Sequence, residues 1–249
     1  MKFAFAAAVL GTALFSSHSV SAQTTAPRTA PQVGQWSVTP FAGADFNAGG
    51  DFTKTASGTS TRFGRSVPVT ASSKKFSDLY DTPIMGGVSV GYGISNQGEV
   101  FGSLSYEHAS GKSATDGTAT ISGTTVASSL KPDDLKQFNF EIGYRHFIET
   151  ATPLVPYVAG SVGAARVSKI NGTFTTPRFT GTFSFYDAST IAVIGLSAGI
   201  TYRIGPGAAI GVEAGIRYNS SLSGDEPLGF QASGDRWTVP LLATGRVTF

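Results

Sequence analysis

The sequence predicts an all-β fold, an eight-stranded antiparallel up-and-down transmembrane β-barrel with four long extracellular loops and short periplasmic turns. Three observations predict it. Apolar and polar residues alternate with a period of two along eight long segments. The connections between these segments alternate between long and short, and aromatic residues gather at both ends of the segments.

The N-terminus precedes the barrel and predicts export. Lys2, an apolar run from Phe3 to Phe15 and the small residues before Gln23 are typical of a cleaved signal peptide. This apolar run is shorter than the ~20 residues that a spanning helix needs. We therefore predict a signal peptide at 1–22, a polar periplasmic linker at 23–34 and the barrel domain at 35–249.

The amino-acid composition excludes several classes of protein and of functional site. Charged residues make up only 14% of the chain, against ~25% in soluble domains. The chain has no cysteine, which excludes disulfides and cysteine-based metal or nucleophile sites. The net charge of +2 gives no reason to expect nucleic acid as a partner.

Each predicted strand keeps one apolar and one mainly polar face. The fourth is the clearest, because Phe138, Phe140 and Ile142 alternate with Gln137 and Glu141. In order, the eight strands are predicted at about 36–46, 86–94, 99–107, 137–145, 154–167, 194–204, 210–219 and 237–249.

The connections place the strands relative to the membrane. Long loops are predicted at about 47–82, 111–133, 168–190 and 220–235, and short turns at about 95–97, 148–153 and 205–208. Long loops on one side and short turns on the other are typical of an outer-membrane barrel. Both termini then lie on the periplasmic side.

Aromatic residues form two predicted girdles on the lipid-facing parity. A soluble β-sandwich, the alternative fold, explains neither these belts nor the length of the strands. The periplasmic girdle consists of Trp36, Tyr92, Tyr144, Tyr202 and Phe249, and the outer girdle of Phe46, Tyr106, Phe138, Tyr218 and Trp237.

With these features the chain resembles the small eight-stranded outer-membrane barrels, namely the OmpA-type transmembrane domain, the opacity proteins and the small "porin family" barrels. The resemblance covers about Trp36 to Phe249. In that family a terminal aromatic with apolar residues at alternate preceding positions is the assembly signal, which Leu241, Val247 and Phe249 match. The resemblance implies a monomer in the outer membrane of a Gram-negative bacterium. Its partners would be the outer-membrane assembly machinery, periplasmic chaperones and membrane lipid.

The inward parity predicts a charged lumen. Arg203 and Glu213 lie low on the adjacent sixth and seventh strands, with Arg246 nearby on the eighth. An eight-stranded barrel is filled by its own side chains, so we expect a structural plug of ion pairs; the alternative is a narrow path for a solute. The predicted network consists of Asp45, Glu99, Glu107, Glu141, Arg145, Arg203, Glu213, Arg217 and Arg246.

One arrangement suggests catalysis. His108 and Ser110 share a face at the outer end of the third strand, with Asp134 at the start of the fourth. The set is similar to the site of lipid A deacylases, although Gly111 stands where their pattern has Asn. Ordinary polar residues of the membrane interface explain the same positions. We therefore predict no enzymatic activity, no catalytic residue, no cofactor and no metal.

The long loops are the predicted functional region. The first loop has more basic than acidic residues. These basic side chains either pair with lipopolysaccharide phosphates or are solvated loop charges without a partner molecule. The third, NGTFTTPRFTGTFSFYD, alternates Phe with Thr or Ser and predicts a hairpin that either exposes its Phe residues to a host or cell-surface ligand or packs them against itself. We expect an adhesin-like surface role, with a small-solute porin as the alternative and a lipid A deacylase as a remote one. The first-loop charges are Lys54, Arg62, Arg65, Lys74 and Lys75 against Asp51, Asp78 and Asp81; the third-loop aromatics are Phe174, Phe179, Phe183 and Phe185.

Overall fold

The fold is a closed eight-stranded antiparallel β-barrel, as predicted, with smaller sheets built on its outer end. A computed structural model describes residues 31–54, 56–60, 67–121, 124–177, 179–224, 231–232 and 234–249. The predicted signal peptide and most of the predicted linker lie outside these residues. Among the described residues, no helix combines the length and the apolar character that crossing a membrane would require.

The barrel strands follow the predicted segments and extend several of them. Neighbours along the chain are neighbours in the barrel, and pairing of the first strand with the last closes it. The strands are β1 (Trp36–Gly49), β6 (Ile84–Gly93), β7 (Gly98–Ala109), β10 (Leu135–Phe147), β11 (Leu154–Val167), β14 (Ser189–Gly205), β15 (Ala208–Asn219) and β17 (Arg236–Thr248).

Closure satisfies the backbone at the seam. The N–H of Trp36 donates to the carbonyl of Phe249 and the N–H of Phe249 donates to the carbonyl of Trp36, both at 3.0 Å. β1 pairs with β17 on one side and with β6 on the other. A barrel without an edge is one of two structures that can span lipid, because lipid offers no partner for a free backbone group.

Side chains sort onto two faces as the alternation predicts. Ile142 on β10 and Val212 on β15 are each 54% exposed on the outer face, whereas Glu141 is 4% exposed in the interior. At the end of the barrel opposite the long loops, the end predicted to face the periplasm, the strands meet through short turns, of which the tightest is Pro206-Gly207 between β14 and β15. Gly207 has a φ of 71°, a left-handed conformation that glycine adopts without a steric cost.

The described parts of the long loops form secondary structure. A six-stranded sheet, which we call the loop sheet, combines hairpins from the first three loops in the order β13-β12-β9-β8-β4-β3. A three-stranded sheet, β16-β2-β5, joins the first and fourth loops. The elements are β2 (Asp51–Lys54), β3 (Ala56–Ser60), β4 (Val67–Ala71), β5 (Lys74–Lys75), α1 (Phe76–Leu79), β8 (Ala114–Ile121), β9 (Thr124–Pro132), β12 (Ile170–Thr176), β13 (Phe179–Tyr186) and β16 (Gln231–Ala232).

An apolar cluster, the outer core, lies between these loops and the outer mouth of the barrel. The ring of Phe52 contacts the rings of Phe76, Tyr80, Phe185 and Tyr186, with centroids 5.1–5.9 Å apart. The barrel contributes apolar residues that face inward at the ends of its strands. The other members of the outer core are Leu79, Ala109, Leu130, Leu135, Ala165, Val167, Ile170, Ile191, Val193 and Leu222.

Candidate functional site

The lumen charges form three clusters stacked along the barrel. The periplasmic cluster is centred on Glu99 of β7. Its carboxylate accepts from Arg145 at 2.8 Å, from Arg246 through both oxygens, and from the hydroxyl of Ser37 at 2.9 Å. The ring of Phe147 lies 4.9 Å below the guanidinium of Arg246. Two cations therefore share one buried carboxylate.

The central cluster is built on Arg217 of β15, which is 8% exposed. Its guanidinium lies 3.4 Å from Asp45 and 3.1 Å from Glu141, two carboxylates on opposite sides of the lumen. Thr238 donates to Asp45 at 3.0 Å, and Ser161 donates to Glu141 at 2.6 Å. Arg217 therefore ties together strands that are distant in the sequence.

The outer cluster lies just beneath the outer core. Arg236 donates to Glu107 at 2.8 Å and to the amide oxygen of Gln137 at 2.9 Å, and Gln137 in turn donates to Asn219 at 3.0 Å. The guanidinium of Arg236 also lies 5.7 Å from the centroid of Phe76. This cluster couples the charged lumen to the apolar loops above it.

The predicted network and the observed clusters differ at three residues. Arg236 is missing from the predicted set, although it has the same inward parity as Thr238 and Arg246. It is missing because the eighth strand was predicted to begin at Trp237. Glu213 lies on the strand next to Arg203 but does not pair with it, because Glu213 is opposite Gly199 and Arg203 is opposite Ala209. Glu213 instead accepts from the hydroxyl of Tyr157 at 2.6 Å.

A small cavity lies in the middle of the lumen. It has a volume of about 60 Å³ and is lined by Arg217 and Glu141 of the central cluster and by Glu213. A larger cavity of about 270 Å³ lies at the periplasmic mouth and is lined by Arg203 and Arg246. Among the described residues, no group of three or more His, Asp or Glu side chains converges on a possible metal position.

Both aromatic girdles lie on the outer face. At the periplasmic end, Trp36 is 50% exposed and its ring contacts that of Tyr92, with centroids 5.0 Å apart. At the outer end Tyr218 and Trp237 are also 5.0 Å apart, and Tyr106 is opposite Phe138. Tyr144, Tyr202, Phe46 and Phe249 are exposed at the ends of their strands. Leu241 and Val247, which are predicted to belong to the assembly signal, are exposed on the same face.

The His108, Ser110 and Asp134 arrangement, for which we predict no catalytic role, assembles only in part. The Nε2 atom of His108 lies 3.9 Å from a carboxylate oxygen of Asp134, whose other oxygen accepts from the N–H of Gly111 at 3.2 Å. Ser110 is exposed, and its carbonyl accepts from the N–H of Asp81 at 3.0 Å. Within the described residues no hydrogen bond joins the Ser110 hydroxyl to His108.

The third-loop hairpin is present as β12 and β13, but the expectation of exposed Phe residues is wrong. Phe174, Phe183 and Phe185 are buried, at 6%, 7% and 3% exposure, while the side chain of Phe179 is outside the described part. Phe185 belongs to the outer core and contacts Phe52, with ring centroids 5.7 Å apart. The alternating Thr residues occupy the opposite, exposed face of the hairpin.

These observations define the class of protein. A closed antiparallel barrel with an apolar exterior, aromatic girdles at both rims, a charged interior and long loops at one end is an outer-membrane β-barrel. The class follows from this geometry.

Solved structures resemble the chain at low sequence identity. Neisserial surface protein A is 14% identical, with 87% of this chain and 99% of that chain covered at a TM-score of 0.46. Ail of Yersinia pestis is 14% identical (88% and 100% covered, TM-score 0.43), and OprG of Pseudomonas aeruginosa is 13% identical (90% and 99% covered, TM-score 0.47). No protein-family model matches the chain, and no curated protein sequence matches it.

Proposed function

We propose that this outer-membrane barrel acts in surface interaction, in an adhesin-like and structural role, through its extracellular loops. The observation that supports this role most strongly is the loop sheet, which combines three loops into one folded surface above the barrel. Loops carried on a rigid scaffold are where binding residues concentrate. The partner would be a molecule on a host cell or a neighbouring bacterial cell.

We place the contact with the partner molecule at one edge of the loop sheet, strand β13. Within the described residues β13 is an edge strand of the loop sheet and pairs with β12 alone, and Gly224 of the fourth loop lies beside its end at Phe185 and Tyr186. Such an edge can bind an extended peptide by adding it to the sheet. The exposed face beside this edge carries hydroxyls, since Thr173 is opposite Thr182 and Thr175 is opposite Thr180. The contact is therefore polar, and the Phe residues support it from beneath.

A charged edge should block this contact. We expect the double change Thr180→Lys and Thr182→Lys to reduce adhesion of cells that carry the protein, because lysine on an edge strand opposes strand addition. The matched control is Thr118→Lys on β8, which is exposed but is paired with strands on both sides. Heat-modifiable gel mobility shows that each variant is folded. Normal adhesion of the folded double variant would contradict the proposal.

The interior supports a structural barrel in preference to a porin or an enzyme. The three charge clusters are stacked along the lumen, and the cavity beside the central cluster has a volume of about 60 Å³. Absence of a steady current across planar bilayers would agree with this proposal, whereas a large one would favour the porin. Retention of all lipid A acyl chains, with a Ser110→Ala variant as the control, would agree with a protein that is not an enzyme.

Lipopolysaccharide is the proposed lipid partner at the outer rim. An open groove of about 550 Å³ is lined by Lys131, Lys136 and Lys169, with Asp133 and Asp134 beside them. Exposed ammonium groups just above the outer girdle complement phosphates. The predicted first-loop basic group contributes Lys54 and Lys75 as exposed residues, while Arg62 and Arg65 lie outside the described residues.

The two sets of lysines give a direct comparison. We expect the triple change Lys131→Gln, Lys136→Gln and Lys169→Gln to reduce the amount of lipopolysaccharide that copurifies with the protein. The double change Lys54→Gln and Lys75→Gln should reduce it less. The opposite order would move the lipid contact to the first loop. If both variants retained as much lipopolysaccharide as the wild-type protein, the lipid proposal would be contradicted.

A further inference from the structure

The cavity at the periplasmic mouth has chemistry that the loop-based function does not use. We infer that it binds a small oxyanion, a phosphate or a carboxylate, through Arg203. The cavity has a volume of about 270 Å³ and opens between the start of β1 and the turn at Pro206-Gly207. Its polar lining consists of Gln32, Gln35, Thr201, Arg203, Arg246 and Thr248.

Charge balance leaves Arg203 without a counterion. In the periplasmic half of the lumen, Glu99 serves both Arg145 and Arg246, and Glu213 accepts from Tyr157. Among the described residues, no carboxylate forms an ion pair with Arg203. The cavity thus has two guanidinium groups in its wall and no acidic side chain.

The N-terminal residues do not supply the missing charge. Residues 1–30 contain neither Asp nor Glu, so no side chain that precedes Pro31 brings a carboxylate to this mouth. Glu149, on the neighbouring turn, is exposed and forms no ion pair with Arg203. Because no described carboxylate is paired with it, Arg203 is free to take a counterion from the periplasm or from the inner leaflet.

Arg203 lines the cavity and has hydrogen-bonding capacity that no described residue satisfies. Its Nη1 is buried and has no hydrogen-bond partner among the described residues, a state that is costly for a charged donor. The planar guanidinium matches the two oxygens of a carboxylate or phosphate, which accept parallel hydrogen bonds. The side-chain amide of Gln35 in the same wall offers a neutral donor. Free phosphate and a phospholipid headgroup both present this chemistry.

Titration of the folded protein tests the inference. In micelles of a detergent without phosphate, inorganic phosphate is added while chloride keeps the ionic strength constant, and the amide signals of Gly207 and Ala208 are followed by NMR. We expect a saturable shift. Arg203→Gln should weaken it by about tenfold or more, the loss of a charge-assisted pair. Arg166→Gln, which removes an exposed arginine at the other end of the barrel, should leave it unchanged.

A second series separates the sources of the anion. Short-chain phosphatidic acid replaces phosphate, and saturation by this lipid alone would identify a headgroup as the ligand. Saturation by inorganic phosphate would identify a free periplasmic anion. A shift that is absent in both series, that chloride reproduces, or that survives in folded Arg203→Gln would overturn the inference. The comparison of phosphate with chloride in the wild type needs no variant to fold.

Discussion

Replacing Arg217 by Met should be among the most destabilising single changes in the barrel interior. The change leaves the carboxylates of Asp45 and Glu141 buried without a cation. Each loses a charge-assisted hydrogen bond worth roughly 1.5–3 kcal/mol, and breaking a buried ion pair costs about 3–5 kcal/mol. The hydroxyls of Thr238 and Ser161 still donate to these carboxylates, so we expect a loss near the lower end, about 3 kcal/mol.

The assay is urea unfolding in lipid vesicles, followed by tryptophan fluorescence and by gel mobility without heating. Arg166→Met is the matched control, because Arg166 is exposed and, among the described residues, donates to Thr190 alone, at 3.2 Å; its expected cost is about 0–1 kcal/mol. Adding Asp45→Asn and Glu141→Gln to Arg217→Met should recover most of the loss, because no buried charge is then left without a partner. A loss below about 1 kcal/mol for Arg217→Met, or no recovery in the triple variant, would refute the central cluster as a set of interdependent charges.

Three further changes test other layers of the molecule. Ile142→Arg near mid-membrane should cost about 2–4 kcal/mol of folding free energy in vesicles, against about 0–1 kcal/mol for Ile84→Arg at the outer rim; equal costs would contradict the assigned depths. Phe185→Ala should make the loops sensitive to protease while the barrel still inserts, because it removes a ring from the outer core; a loss of insertion would mean that the loop core is needed for assembly. Burial raises the pKa of Tyr80 well above its ordinary value, so the loops require its neutral form. The stability from this group is then complete below about pH 10 and is lost as the pH rises, and near-ultraviolet circular dichroism should show less alkaline loosening in Tyr80→Phe.

The sequence by itself determined the strands and their faces. A period of two decides which residues face lipid and which face the lumen, because successive side chains of a strand point to opposite sides. Ile142 and Glu141 are adjacent, and their exposures of 54% and 4% follow from parity alone. The girdles follow as well, since a strand long enough to cross the membrane has its two ends at the two interfaces.

Only the tertiary structure decided which lumen charges meet. Pairing across a barrel depends on strand tilt and stagger, which parity does not encode. Arg203 and Glu213 lie on adjacent strands yet are separated along them, whereas Arg217 reaches Asp45 across the lumen, 172 residues away in the sequence. Arg236 had the correct parity, and its role became evident only from Glu107 and Gln137 beside it.

The contacts of the loops could not be predicted from the sequence either, for a different reason. Alternation of Phe with Thr predicted a hairpin with two unlike faces but did not say which face would be covered. The covering surface comes from other loops, since Phe52 of the first loop packs on Phe185 and Tyr186 of the third. Burial of apolar rings is non-directional and takes whatever apolar partner the fold brings near. The hairpin was therefore determined by its own residues, and its orientation by contacts with residues more than a hundred positions away.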